Sequence, residues 1–212
     1  MKFAQFQSTY KELPIDTYER TGKELEAKYI TFLPLVERRT GTKSGVSRAS
    51  VPSLEFGLFL NSVFDEWLER DIGKIKIQVF EEAARTAFSQ EHTLCIFKEN
   101  CGGVPVLEHN GDFYTCDHYV NKENLVGNIQ NGSISDFLDS EKQQAFGRAK
   151  SHTLPGYCLK CEVKSMCNGE CPKNRFINTP DGEPGLNYLC KGYKTFFNHC
   201  RPFVEAIATA WG

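Results

Sequence analysis

Between Cys158 and Cys171 the chain reads CLKCEVKSMCNGEC, placing four thiols in fourteen residues of a protein that holds nine cysteines in 212. Spacings this short let one turn of backbone aim two thiolates at the same ion. The remaining cysteines are spread more widely. Five residues separate Cys95 from Cys101, fourteen separate Cys101 from Cys116, and eighteen separate Cys171 from Cys190. Eight ligands suggest two four-cysteine sites, with the distant members closing each coordination shell through the fold. Cys200 falls outside this set and reads as a free, buried thiol. Spacing alone leaves zinc and iron-sulfur clusters both open, because tetrahedral sulfur sites suit either.

The opening MKFAQFQSTYKELPIDTYERTGKE lacks the apolar run of a signal peptide, and no stretch approaches the roughly 20 apolar residues that span a bilayer. The chain therefore reads as cytoplasmic. In a reducing compartment a dense, odd-numbered set of thiols points to metal ligation before disulfides. With 25 basic residues against 27 acidic ones and a formal net charge of -2, no broad field for nucleic acid or an anionic membrane is present. The partner is protein-like or small.

Two textures divide the chain near residue 94. Residues 1–94 contain no cysteine and alternate helix with strand. A polar helical stretch near Tyr10 to Ala27 precedes the apolar run YITFLPLV, Tyr29 to Val36, which reads as a buried parallel strand. The polar loop ERRTGTKSGVSRAS follows. Phe56, Phe59, Leu60, Val63, Phe64, Trp67 and Leu68 then recur at helical spacing behind Ser53 as N-cap, and their stripe is core. KIKIQVF, Lys74 to Phe80, alternates as a strand, with a short helix expected over Glu81 to Phe88. So few β/α units look like the tail of a larger barrel or sheet.

From Cys95 the chain becomes loop-rich. VPVLEHNGDFYTCDHYV holds two alternating segments joined at Asn110-Gly111, which supplies the positive φ angles of a hairpin turn and puts Cys116 on the second strand. A polar connector leads to a helix over Ile134 to Lys150, capped by Ser133 or Ser135. GRAK at its end reads as a solvated basic terminus, and the thiol-rich segment after Pro155-Gly156 as mostly loop.

Taken together, Cys101, the gap to Cys116 with Gly111 ahead of it, the run Cys158, Cys161, Cys167, Cys171 and the trailing Cys190 resemble the seven-cysteine signature of SPASM, the auxiliary-cluster domain of radical S-adenosylmethionine enzymes. LEHNGDFYTCDHYV, FGRAKSHTLPGYCLKCEVKSMCNGECPKNRF and DGEPGLNYLCKGYKTFF are similar to the anaerobic sulfatase-maturating enzymes, and YITFLPLVER and FDEWLERDIGKIKIQVF are similar to the same family's late barrel segment. The C-x3-C-x2-C motif that binds S-adenosylmethionine through an open iron is absent. The resemblance thus implies an α/β plus α+β chain: the last β/α units of a partial radical-SAM barrel over 1–94, then a SPASM domain over 95–212 with a β-hairpin and Cys-bound clusters. Alone, this piece is expected not to cleave S-adenosylmethionine.

For the parent enzyme the resemblance implies oxidation of a sulfatase Cys or Ser to formylglycine. It implies two [4Fe-4S] clusters, one on Cys95, Cys101, Cys116 and Cys171 and the other on Cys158, Cys161, Cys167 and Cys190, open to loss or replacement by zinc in air. S-adenosylmethionine belongs to the full-length parent only. Four protein ligands per cluster leave no iron free, which suits electron transfer and structural support. Asp117 matches the family's proposed general base, a role served by a pKa raised through burial; by its residue type alone it is an ordinary polar strand end. His109 and His118 flank the hairpin in surface or supporting roles. Glycines 102, 103 and 111 serve turns and close approaches, since no phosphate-loop pattern occurs. The expected partner is a sulfatase polypeptide, with no nucleic acid and no membrane, and self-association is expected through a barrel edge exposed near Tyr29 to Val36. The competing reading is a zinc-stabilised, Cys-rich protein-binding module.

Overall fold

The computed structural model describes residues 3–8, 18–19, 21–22, 26–42 and 45–211. Strands β1 (Phe3–Ser8), β2 (Tyr29–Pro34) and β3 (Lys76–Ile77) form a parallel sheet in the order β1-β2-β3, and these three strands do not close a barrel. Ile30 and Phe32 alternate inward along β2 as a half-buried strand requires. The edge expected at Tyr29 to Val36 is not an edge: β1 pairs along all of β2, with Tyr29 opposite Phe3 and Pro34 opposite Ser8. That pairing went unread because Phe3–Ser8 carries no continuous apolar run. Of the helix expected over Tyr10 to Ala27, Tyr18, Glu19, Thr21 and Gly22 are helical, Ala27 is not, and most of the rest lies outside the described residues.

Helix α1 (Ser53–Arg70) buries Phe56, Phe59, Leu60, Val63 and Phe64, as its apolar spacing dictates. Pro52, not Ser53, holds the N-cap position, and no side chain caps the helix. Ser53 Oγ instead accepts from the Gly192 N–H at 2.9 Å. The strand expected over Lys74 to Phe80 shrinks to Lys76–Ile77, because α2 (Gln78–Ala87) begins at once. Val79, Phe80 and Ala83 form its buried face, and Phe80 packs against Phe64 with ring centroids 5.1 Å apart. Tertiary packing here overrides local alternation.

In the second region β4 (Val106–Leu107) and β5 (Asp112–Tyr114) pair antiparallel across Asn110-Gly111, where Gly111 has φ +88°. Cys116 lies two residues past β5 rather than on it. A third strand, β6 (Leu125–Asn128), arises from the segment read as a polar connector. The single helix expected over Ile134 to Lys150 is two, α3 (Ile134–Leu138) and α4 (Glu141–His152). Ser133 caps the first by accepting from Asp136 N–H, and Ser140 caps the second by accepting from Gln143 N–H, each at 3.2 Å. The thiol-rich segment forms two single turns, α5 (Gly156–Leu159) and α6 (Lys164–Cys167), before the β7 (Ile177–Asn178) and β8 (Pro184–Leu186) pair. The final helix, α7 (Cys190–Trp211), packs on α1 and α2. Its Tyr193, Phe196 and Phe197 share one core with Ile30 and Ile77 from the sheet and Phe97 from the second region. Among the described residues no helix is long and apolar enough to cross a membrane.

Candidate metal centre

Cys158, Cys161, Cys167 and Cys190 all line one pocket, together with Tyr157, Glu170 and Asn187. Each is delivered by a different local device. Cys158 is inside the α5 turn, and the Cys161 N–H donates to the Cys158 carbonyl at 3.1 Å, folding the C-x2-C pair back on itself. Cys167 ends α6 and Cys190 begins α7. The lie of α7 is fixed two residues later by Gly192, whose backbone touches α1. Burial pushes the Cys167 and Cys190 thiols up to about 12, with Cys190 and Cys158 adding to the first and Cys158 and Cys161 to the second.

Of the other four cysteines, Cys95 and Cys101 bond α4 through their backbones and Cys116 follows a residue that does. Gln143, Gly147 and Lys150 form its buried stripe at i, i+4, i+7. Gln143 Nε2 donates to the Gly102 carbonyl at 2.8 Å and the Thr115 carbonyl at 3.1 Å, tying the residue after Cys101 to the residue before Cys116. The Cys101 N–H donates to the Gly147 carbonyl at 3.0 Å, and a Cβ on Gly147 would lie 2.8 Å from the Cys101 oxygen. Lys150 Nζ donates to the carbonyls of Cys95 and Ile96 at 2.9 and 2.8 Å. Lys150 is 1 % exposed, so GRAK is not a solvated terminus; its lysine is spent inside. Gln143 and Lys150 were missed because their types are normally exposed, and only their spacing with Gly147 marks a common face.

Cys95 and Cys101 face a cavity of about 510 Å³ that also touches Asn168, while Cys171 faces another with His118. Burial pushes Cys171 up to about 12 and Cys116 up to about 11, and in both cases the Cys101 thiol adds to the shift. Tyr119 is raised by burial first and then by Cys171, Cys101 and Cys116 together. All nine cysteines are free thiols, and Cys200 is fully buried on α7, with its Sγ donating to the Phe197 carbonyl at 3.6 Å.

Asp117 is exposed and its carboxyl lies below the ordinary value, against the expectation of a raised one. Its partial burial works upward, but hydrogen bonds from the Cys116 thiol at 3.2 Å and from His118 Nδ1 at 2.7 Å outweigh it. Cys116, Asp117 and His118 are the one group of three or more His, Cys, Asp or Glu ligand atoms within 4.8 Å of one another among the described residues. His109 is surface-exposed beside Glu108.

Residues 95–162 match the SPASM family, described as an iron-sulfur cluster-binding domain. The serine-type anaerobic sulfatase-maturating enzyme of Bacteroides thetaiotaomicron is 40% identical over 207 residues, covering 92% of this chain and 50% of that protein. The cysteine-type enzyme of Clostridium perfringens is 28% identical over 195 residues, covering 89% of this chain and 51% of the relative. A solved structure described as native anSMEcpe with bound AdoMet and Cp18Cys peptide superposes with a TM-score of 0.79 at 25% identity, over 98% of this chain and 58% of the other. The chain spans about half the length of the curated relatives it matches. The SPASM match over residues 95–162, the curated relatives and the shared fold together show a chain similar to the C-terminal part of the anaerobic sulfatase-maturating enzymes.

Proposed function

We propose that this chain is the auxiliary-cluster part of a radical S-adenosylmethionine sulfatase maturase, binding two [4Fe-4S] clusters and the sulfatase segment that is oxidised to formylglycine. In this reading residues 1–94 supply the last β/α units of a partial barrel and residues 95–212 the SPASM domain. Cys95, Cys101, Cys116 and Cys171 hold one cluster; Cys158, Cys161, Cys167 and Cys190 hold the other. The carrying observation is that the second set, Cys158, Cys161, Cys167 and Cys190, converges on one pocket. Four thiols are a donor set that either a [4Fe-4S] cluster or zinc can take. The match of residues 95–162 to an iron-sulfur cluster-binding family favours the cluster over the zinc-stabilised module.

When bound, the clusters supply an electron sink. The chain's own residues do the rest. A cavity at the C-terminal end of β2, lined by Phe32, Pro34, Phe56, Ile96, His118 and Cys171, occupies the place where open parallel sheets bind ligands, and it suits an extended peptide. Asp117 is hydrogen-bonded to His118, which lines that cavity. In this reading Asp117 accepts the proton of a substrate thiol or hydroxyl, with His118 Nδ1 as its hydrogen-bond partner once Cys116 is a cluster thiolate. S-adenosylmethionine cleavage needs the C-x3-C-x2-C motif, which the sequence lacks, so the 212 residues alone are inactive in this reading.

Strictly anaerobic reconstitution followed by iron, sulfide and zinc analysis tests the proposal. Iron and sulfide each near eight per chain, with sulfur-to-iron charge-transfer absorption, support it. A colourless chain that retains one or two zinc ions and takes up no iron sinks it.

A further inference from the structure

Cys167 and Cys171 are four residues apart, yet Cys167 opens into the pocket shared with Cys158 and Cys190, whereas Cys171 opens beside His118. The turn between them is unusual. Asn168, Gly169 and Glu170 have φ of +46°, +71° and +51°, three successive left-handed residues of which two carry side chains. Such a run persists only where its surroundings hold it.

What holds it is Arg175. Its Nε donates to the Gly169 carbonyl at 3.0 Å, and one terminal nitrogen donates to the Asn168 and Glu170 carbonyls at 3.0 and 3.2 Å. All three carbonyls of the turn converge on one guanidinium. The other terminal nitrogen donates to the Lys150 carbonyl at 2.6 Å, joining the turn to α4. A Cβ on Gly169 would lie 2.7 Å from the guanidinium, so glycine is what allows the approach. From the far side Asn168 Nδ2 donates to the Phe97 carbonyl at 2.8 Å, between Cys95 and Cys101.

The charge of Arg175 is also unspent. Among the described residues no carboxylate reaches it or Lys150, and every hydrogen bond from either cation goes to a neutral backbone carbonyl. The nearest candidate, the Glu170 carboxylate, is occupied by the side-chain amides of Asn174 and Asn187. Cys158 and Cys167 of one set and Cys101 of the other are the thiols whose charge acts on Arg175, while Cys101 and Cys171 act on Lys150. The buried Glu170 carboxyl also acts on both cations without bonding either, and negative charge on the sulfur sites supplies the rest of their compensation.

Resting on the two-cluster reading, we propose that Arg175 is a positioning residue shared by both sites: it fixes the turn that sends Cys167 and Cys171 to different clusters and stands between them as a fixed positive charge. Lys150 serves the first site alone. One electron taken up at either site adds one negative charge there, supplied by the substrate radical in the parent reaction and by dithionite in solution; Arg175 stabilises that added charge at both.

The experiment compares the wild-type chain with Arg175→Gln, Arg175→Lys and Lys150→Met after anaerobic reconstitution, reading iron per chain and the two reduction potentials by dithionite titration followed by electron paramagnetic resonance. Arg175→Gln is expected to lose iron from both sites or, where loaded, to lower both potentials. Lys150→Met is expected to lower one. Arg175→Lys keeps the charge but cannot reach all four carbonyls, so its potentials stay near wild type while iron occupancy falls. If Arg175→Gln is unfolded by circular dichroism, Arg175→Lys decides: wild-type occupancy overturns the proposal, and reduced occupancy in a folded chain supports it. Full loading with unchanged potentials in Arg175→Gln, or a change at one site only, also overturns it. A wild-type chain that takes up no iron is a different failure, because it removes the two-cluster reading itself.

Discussion

Gly57 on α1 and Gly192 on α7 meet backbone to backbone: a Cβ on Gly57 would lie 2.4 Å from the Gly192 carbonyl oxygen, and one on Gly192 would lie 2.1 Å from that of Ser53. This crossing sets α7, and with it Cys190, against the core. Gly192→Ala would gain up to about 1 kcal/mol of helix propensity. Forcing apart two packed backbones costs more, typically about 1–3 kcal/mol of overpacking. The expected outcome is net destabilisation in chemical denaturation, with the Cys190 site losing iron before the Cys95 site.

Glu82 and His92 form a buried pair at 2.9 Å that anchors the segment leading into Cys95. Burial alone would raise the Glu82 carboxyl, but hydrogen bonds from His92, from the Thr93 hydroxyl and N–H and from the Leu94 N–H hold it below its ordinary value. A depressed carboxylate contributes stability that is present above its unfolded pKa, about 4.3, and is lost as pH falls through the lower folded value. Denaturation midpoints should therefore fall on acidification below about pH 4 in the wild type. Glu82→Gln should remove that part of the acid dependence and cost about 3–5 kcal/mol at neutral pH.

Thiols raised by burial must release protons to bind iron. Cys167, Cys171 and Cys190 stand at about 12 and Cys116 at about 11. The rate of iron uptake by the metal-free chain should rise between about pH 7 and about pH 9, and iodoacetamide should label these four slowly at neutral pH. Rapid, pH-independent labelling of Cys167 would contradict the raised thiol pKa of this half-buried residue.

Gln143→Leu keeps the volume near Cys101 and removes the amide bridge to the Gly102 and Thr115 carbonyls. Each carbonyl left unpaired should cost about 1–3 kcal/mol. The Cys95 site should lose iron while the Cys190 site keeps it, which iron analysis of the reconstituted variant would show.

Three of the four cysteines that line one pocket, Cys158, Cys161 and Cys167, lie within ten residues, so that grouping was legible in their spacing. The α1 stripe was legible because Phe56 to Phe64 repeats at the helical period on one buried face. What escaped was set by contacts distant in sequence. Gln78 to Phe80 alternate like a strand, yet they turn into α2 because Phe80 finds Phe64 and Phe196. Phe3–Ser8 becomes a strand because β2 offers it a partner. GRAK, ending in Lys150, read as a solvated helix end and Arg175 drew no reading, since a lone basic residue gives no sign of the backbone carbonyls that will enclose it.

The central claim is that Cys167 and Cys171, though neighbours in the chain, serve different clusters. Iron content of anaerobically reconstituted Cys167→Ala, Cys171→Ala and the double variant tests it directly. Each single variant should retain about four of about eight irons, and the double variant should retain none. A double variant that still holds about four irons would place both cysteines in one site and contradict the account.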